Sequence, residues 1–392
     1  MMNLPRFRSA SVVAAGVLLS FAWSAQAAQP PGMIPPAQLA ANAAAQAAGQ
    51  PLPPMPLQPN APVIPLWTPG SAGFNPKALT DPETYKLTDN VPERVEKSYN
   101  VTNPSIEIHR VAPDINTGVA IILAPGGGNG ELNVATEGTD MVPFFYQYGI
   151  NTIILRYSLR GTGGNPSADA LQAIRLVRAR AAEWGIDPKK IGFAGFSAGG
   201  ERVAHVIQNY DAGDPAATDP IAQVSSRPDF ILSIYPSGNV TAVPRNSPPT
   251  FIATAGQDDA GHARPALALA SALLNAGTPH VEFHMYGRGG HANGIKDRGG
   301  IPFGTWHYRF VDWFRDLGFL GKPGTPANFG ITDLSQQAPV AAPPPGQGRG
   351  GRGRGGPGGP GAPAAAGAPA GDAPAVAPAT TAPQAAPATK AP

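Results

Sequence analysis

Gly195-Phe196-Ser197-Ala198-Gly199 sets a serine between two glycines where an apolar run, Ile191 to Phe196, gives way to the helix-patterned stretch Ala198 to Asn209. A serine in a sharp strand-to-helix turn presents its hydroxyl as a nucleophile, and glycines two residues away let strand and helix approach each other. The motif alone is weak in a chain with 48 glycines, and a glycine-rich helix start capped by Ser197 is the plainer reading. Its neighbours decide. A nucleophilic hydroxyl needs a base to take its proton, and the base needs an acid to hold its ring. Of seven histidines, His291 lies in the flexible loop Arg288-Gly289-Gly290-His291 near the end of the folded part. His280 and His284 alternate with Val281, Phe283 and Met285 and so share the polar face of a strand. His205 is two turns down the helix after Ser197, His109 precedes the first buried strand, and His262 is the serious rival to His291. Asp258 and Asp259 directly follow the strand-like Thr250 to Ala255. Asp259, three residues beyond Gly256, is the preferred acid, with Asp258 capping the next helix or facing solvent.

Pro125-Gly126-Gly127-Gly128 follows another apolar run, Val119 to Leu123. Glycines there let main-chain N–H groups turn toward a reacting carbonyl and stabilise the oxyanion of a tetrahedral intermediate. A phosphate-binding loop is the competing reading. It fails because no Gly-Lys-Ser or Gly-Lys-Thr follows, and no ribose-binding acid stands at the required distance.

Elements must bring these loops together. Val119 to Leu123, Thr152 to Arg156, Ile191 to Phe196, Phe230 to Tyr235 and Thr250 to Ala255 are short runs rich in apolar and β-branched residues, as expected of strands covered on both faces. Helical patterns lie between and after them: Asp169 to Trp184, Ala198 to Asn209, Arg264 to Asn275 and Phe303 to Leu317. The alternation predicts an α/β fold, a mostly parallel sheet with helices on both faces. Such sheets bind ligands at the carboxyl ends of their strands, where all the candidate loops fall.

Composition bounds the rest. The 48 Gly and 47 Pro of 392 residues shrink the part that can fold regularly. With no cysteine there are no disulfides, thiolate nucleophiles, iron-sulfur clusters or thiolate zinc sites. Residues 1–28 read as a secretory signal: Arg6 and Arg8, an apolar run from Val12 to Trp23, then Ala25-Gln26-Ala27. That run falls short of the ~20 residues of a spanning helix, so no stable membrane insertion is expected after cleavage. Residues 29–62 read as a disordered Ala/Pro-rich linker, 63–337 as one catalytic domain, and 338–392 as a disordered Pro/Ala/Gly-rich tail. Once the ends are set aside, the body is slightly acidic, which speaks against nucleic acid as a partner. Gly346 to Gly356, GQGRGGRGRGG, resembles arginine-glycine RNA-binding segments, but three arginines in an exported chain read as a solvated cationic tail.

Taken together, the residues resemble the α/β-hydrolase esterases, and within them the bacterial acetyl xylan esterase and feruloyl esterase-like proteins. The resemblance is carried by Pro65-Leu66-Trp67, APGGGNGEL, Glu137-Gly138, LRYSL at 155–159, the stretch DALQAIRLVRARAAEWGIDPKKIGFAGFSAGG, the QDD and GRGGH loops, and DWFRDLGFL at 312–320. Ser197, Asp259 and His291 also follow the chain order of that fold. The resemblance implies Ser197 as nucleophile, His291 as base, Asp259 as acid, and oxyanion donors from Ala198 and from Gly127 or Gly128. It implies an exported, periplasmic or extracellular serine carboxylesterase acting on short acyl esters of small molecules or carbohydrates, acetyl esters on xylan among them. No metal or organic cofactor is expected. Related sequences carry histidine where this one has Glu201, and His-Gly-Phe where it has His291-Ala292-Asn293, both beside the pocket. A serine peptidase of the same fold and a non-catalytic polysaccharide-binding protein are the competing functions.

Overall fold

In the computed structural model, residues 32–88, 94–240, 242–291, 294–295 and 302–320 are described. The expected leader, residues 1–28, and the tail, 338–392, lie outside them.

Ten strands and seven helices occur among the described residues. In chain order they are α1 (Pro36–Ala47), β1 (Val63–Pro65), β2 (Thr84–Leu87), β3 (Val95–Tyr99), β4 (Ser105–His109), β5 (Ala120–Ala124), α2 (Val142–Tyr146), β6 (Asn151–Arg156), α3 (Pro166–Ala179), α4 (Ala181–Trp184), β7 (Ile191–Phe196), α5 (Gly199–Asn209), β8 (Phe230–Ile234), β9 (Thr250–Ala255), α6 (Ala263–Asn275), β10 (Glu282–Tyr286) and α7 (Trp306–Asp316). Eight strands form one sheet in the order β1-β4-β6-β5-β7-β8-β9-β10. β1, β4 and β6 pair antiparallel, and from β6 to β10 every neighbour is parallel. β2 and β3 form a separate hairpin sheet.

The central strands are buried along their whole length, and alternation sorts their side chains into two layers. Ile122, Phe193, Ile231 and Ile252 face one core together with apolar residues of α3, α5 and α6. Ile121, Leu123, Phe196, Leu232 and Phe251 face the other, packed against Phe144, Phe145, Phe310 and Phe314 of α2 and α7. The doubly covered parallel sheet is therefore as the residue pattern predicts. The expected helix from Asp169 to Trp184 is in fact two helices, because Arg180 leaves helical geometry at φ −104°.

The stretch expected to be an unstructured linker is ordered from Gly32 onward. Met33 pairs with Tyr85 of β2, and α1 follows, with Pro36 at a position where its missing N–H costs nothing. Residues 52–58 then lie along the domain as an arm, with Leu52 and Leu57 buried. Fully buried Glu107 on β4 accepts the N–H groups of Leu57 (2.5 Å) and Gln58 (3.2 Å). Arg156 on β6 donates to Met55 O (2.6 Å), and the Tyr85 hydroxyl accepts from Met55 N (2.7 Å). Composition averaged over the stretch hides this, since two leucines and a few main-chain groups carry the docking while the partners lie 30 to 101 residues away.

Candidate active site

β7 ends at Phe196 and α5 begins at Gly199, so the chain must turn within two residues. Ser197 takes the turn at φ 51°, a left-handed conformation that costs a residue with a Cβ on the order of 1 kcal/mol. The turn is so tight that a Cβ on Gly195 would lie 2.3 Å from Gly199 O. Ser197 is fixed on both sides: its N–H donates to Ile234 O (3.2 Å), and its carbonyl accepts from Gly200 N and Ser237 N, both at 2.8 Å. The strained backbone is thus held by the ends of β7, β8 and α5.

The Ser197 hydroxyl lies 2.8 Å from His291 Nε2, and His291 Nδ1 lies 2.9 Å from Asp258 Oδ2. A carboxylate only accepts, so Nδ1 carries the proton and Nε2 is left to accept from Ser197 O–H. The three side chains come from loops after β7, β9 and β10, which are parallel and end on the same rim of the sheet. The acid at His291 is Asp258 and not the expected Asp259. Asp258 N–H donates to Ala255 O (3.1 Å), so the chain is still turning over the strand end at that residue, and the Asp258 carboxyl is buried there. One residue later the side chain points outward: Asp259 is mostly exposed and accepts from Gly261 N (2.8 Å) and His262 Nδ1 (2.7 Å). Counting from Gly256 underestimates how quickly this loop turns.

His262 stands beside this set and stacks on it, with the His262 and His291 ring centroids 3.6 Å apart. Its Nε2 is 3.0 Å from Ser237 Oγ. Asp258, His262 and His291 each offer one ligand atom within 4.8 Å of the others. These are the residues a divalent cation could enter, and it would do so in competition with the hydrogen bonds just given.

The glycine loop lies against the serine: a Cβ on Gly126 would touch Ser197 Cβ at 2.7 Å. Gly127 adopts φ 135°, where a Cβ would sit 2.1 Å from Glu131 O, so no other residue fits. The N–H groups of Gly127, Gly128 and Ala198 have no acceptor among the described residues, which leaves them available to a ligand. Beyond the loop, Asn129 donates to Glu201 (3.1 Å), and Arg202 bridges Asn129 Oδ1 (3.1 Å) and Glu201 (2.9 Å). Glu201 thus belongs to a polar wall shared by the glycine loop and α5.

Glu137 is the residue that motif reasoning passed over. Its carboxyl is fully buried and accepts from Gly126 N (2.6 Å) and from the Tyr235 hydroxyl (2.9 Å). The same hydroxyl accepts from Gly294 N (2.9 Å), three residues beyond His291. Burial pushes the Glu137 carboxyl above the usual carboxylate range, opposed by the donors at Gly126 and Tyr235. The only signal in the sequence was the Glu137-Gly138 pair; nothing local says that its partners lie 11 and 98 residues away.

The eight-stranded sheet order and the serine turn together define the α/β-hydrolase fold. Residues 164–247 match a family described as having the alpha/beta hydrolase fold. Stretches of the chain are similar to two curated proteins. A stretch of 125 residues is 32% identical to the acetylxylan esterase of Xylanibacter ruminicola, covering 32% of this chain and 24% of that protein. A stretch of 184 residues is 26% identical to endo-1,4-beta-xylanase B of Butyrivibrio fibrisolvens, covering 44% of this chain and 28% of that one. The chain thus spans about a quarter of the length of the curated relatives it matches. Among solved structures, the acetyl ester-xyloside bifunctional hydrolase of Caldicellulosiruptor lactoaceticus superimposes with a TM-score of 0.54 at 26% identity, over 68% of this chain and 99% of that one.

Proposed function

We propose that this protein is an exported serine carboxylesterase that removes short acyl groups, acetyl groups on xylan or related sugars among them. The observation that carries the reading is the continuous relay from Ser197 Oγ through the two nitrogens of His291 to Asp258, at 2.8 and 2.9 Å. The similarity to an acetylxylan esterase and to an acetyl ester-xyloside hydrolase supports the acetyl-sugar substrate class. Export rests on the leader-like residues 1–28. No helix among the described residues is long and apolar enough to cross a membrane.

In this mechanism His291 Nε2 takes the Ser197 proton as the oxygen attacks the ester carbonyl. Asp258 holds Nδ1–H and stabilises the imidazolium. The oxyanion is received by the N–H groups of Ala198 and of Gly127 or Gly128, each donor worth ~10²–10³ in rate. His291 then returns its proton to the leaving alcohol, and a water deprotonated by the same nitrogen releases the acid from Ser197. The polar wall of Asn129, Glu201 and Arg202 at the rim suits an alcohol rich in hydroxyl groups.

The test is turnover of p-nitrophenyl esters of increasing chain length beside acetylated xylan. Acetate is expected to be the best of the series, with acetate released from the polysaccharide. A fluorophosphonate should label Ser197 in the wild type. An unlabelled protein that turns over no ester, or one that cleaves peptide amides faster than acetate esters, overturns the reading.

A further inference from the structure

Asp259, His262 and Ser237 repeat the arrangement of Asp258, His291 and Ser197, with the acid one residue further along the same loop. Asp259 Oδ1 lies 2.7 Å from His262 Nδ1, and His262 Nε2 lies 3.0 Å from Ser237 Oγ. The acceptor-only carboxylate fixes His262 in the tautomer protonated at Nδ1, the same tautomer as His291. The two relays are physically joined. Their rings stack with centroids 3.6 Å apart and planes 33° apart, and Ser237 N–H donates to Ser197 O at 2.8 Å.

Ser237 is poorly placed to be a second nucleophile. Gly126 of the glycine loop packs on Ser197, whereas the glycine after Ser237, Gly238, packs on Glu201 and Ala204 of α5. The need on the other side is specific. His291 sits in a loop with glycines on its N-terminal side, and its hydrogen bonds to Asp258 and Ser197 are made at the ring edge, so the ring faces need other partners. The Tyr235 ring meets it edge-on at 5.3 Å, and His262 meets it face-on.

We propose that Asp259, His262 and Ser237 form a supporting relay. His262 is a positioning residue that holds the plane of the His291 ring, and Asp259 adds negative charge behind the imidazolium His291 becomes. The proposal rests on the reading of Ser197 and His291 as nucleophile and base. The groups facing His291 are Ser197, Asp258, Tyr235 and His262, with Asp259 and Glu137 close enough to act on it through charge. Removing Asp259's charge therefore takes away part of what holds His262, and with it the His291 ring, in place.

The experiment measures kcat and KM on p-nitrophenyl acetate across pH, together with thermal midpoints, for His262→Ala, His262→Phe, Asp259→Asn and Ser237→Ala. His262→Ala should lose about 10- to 100-fold in kcat with KM within about 3-fold. His262→Phe, which keeps a ring to stack, should recover most of that loss. Asp259→Asn should lower kcat about 3- to 10-fold with KM little changed and at an unchanged thermal midpoint; its side chain is largely exposed, so it serves even if a His262 variant does not fold. Wild-type kcat in both His262→Ala and Asp259→Asn overturns the proposal. So does a loss tracking the thermal midpoint alone, or a fluorophosphonate adduct on Ser237 in Ser197→Ala. Wild-type labelling at Ser197 is the separate check on the underlying reading, so the two can fail independently.

Discussion

Asp258 and Asp259 are adjacent in the chain and chemically identical, so exchanging each for asparagine separates position from chemistry. Asp258→Asn leaves His291 facing an amide that can donate, which favours the wrong tautomer; kcat should fall ~10³–10⁴-fold with KM little changed. Asp259→Asn should cost only about 3- to 10-fold, because its carboxylate reaches His291 through His262. Initial rates on an acetate ester decide the pair, and equal losses would reject the assignment of the acid. Ser197→Ala should remove about 10⁵-fold or more of kcat, with the labelling lost as well.

At the scale of elements, the buried Glu137 carboxyl ties the glycine loop to the loop that carries His291. Glu137→Leu strands the Gly126 N–H in a buried site at about 1–3 kcal/mol and takes an acceptor from the Tyr235 hydroxyl. It should lower kcat ~10²-fold and reduce the thermal midpoint. Tyr235→Phe keeps the ring beside His291, loses only the hydroxyl and should cost about 10-fold, read by the same assay. Strands and helices were legible because each declares itself within a dozen residues: the apolar runs at Ile191–Phe196 and Thr250–Ala255 coincide with β7 and β9. Ser197 and His291 were legible because glycines mark the loops around them. The choice of Asp258 was not, since it depends on a turn geometry set by the Ala255 carbonyl. Glu137 was not, because its partner Tyr235 lies 98 residues away, and His262 was visible only as a rival to His291, since its contact with Ser237 lies 25 residues off.

Two predictions concern the whole molecule. His307 on α7 is buried against the Phe144 and Tyr308 rings, its Nδ1 has no partner among the described residues, and burial lowers its pKa to about 4. The unfolded chain protonates near 6.5 and the folded one only near 4, so stability is lost as pH falls below ~6.5 and the loss levels off below ~4. The penalty at pH 5 is about 2 kcal/mol, and His307→Phe should flatten the fall in thermal midpoint between pH 7 and 5. Leu57 is buried in the docked arm. Leu57→Ala should cost about 2–5 kcal/mol, read from the urea midpoint at constant slope.

The arm carries a consequence for the order of events as the chain emerges. Its anchors, Glu107 and Arg156, come 50 and 101 residues after the main-chain groups they grip. The grip on Leu57, Gln58 and the Met55 carbonyl therefore cannot form until β4 and β6 exist, and long-range closures of this kind form late. The arm thus gains its full set of attachments only as the sheet assembles, and then latches.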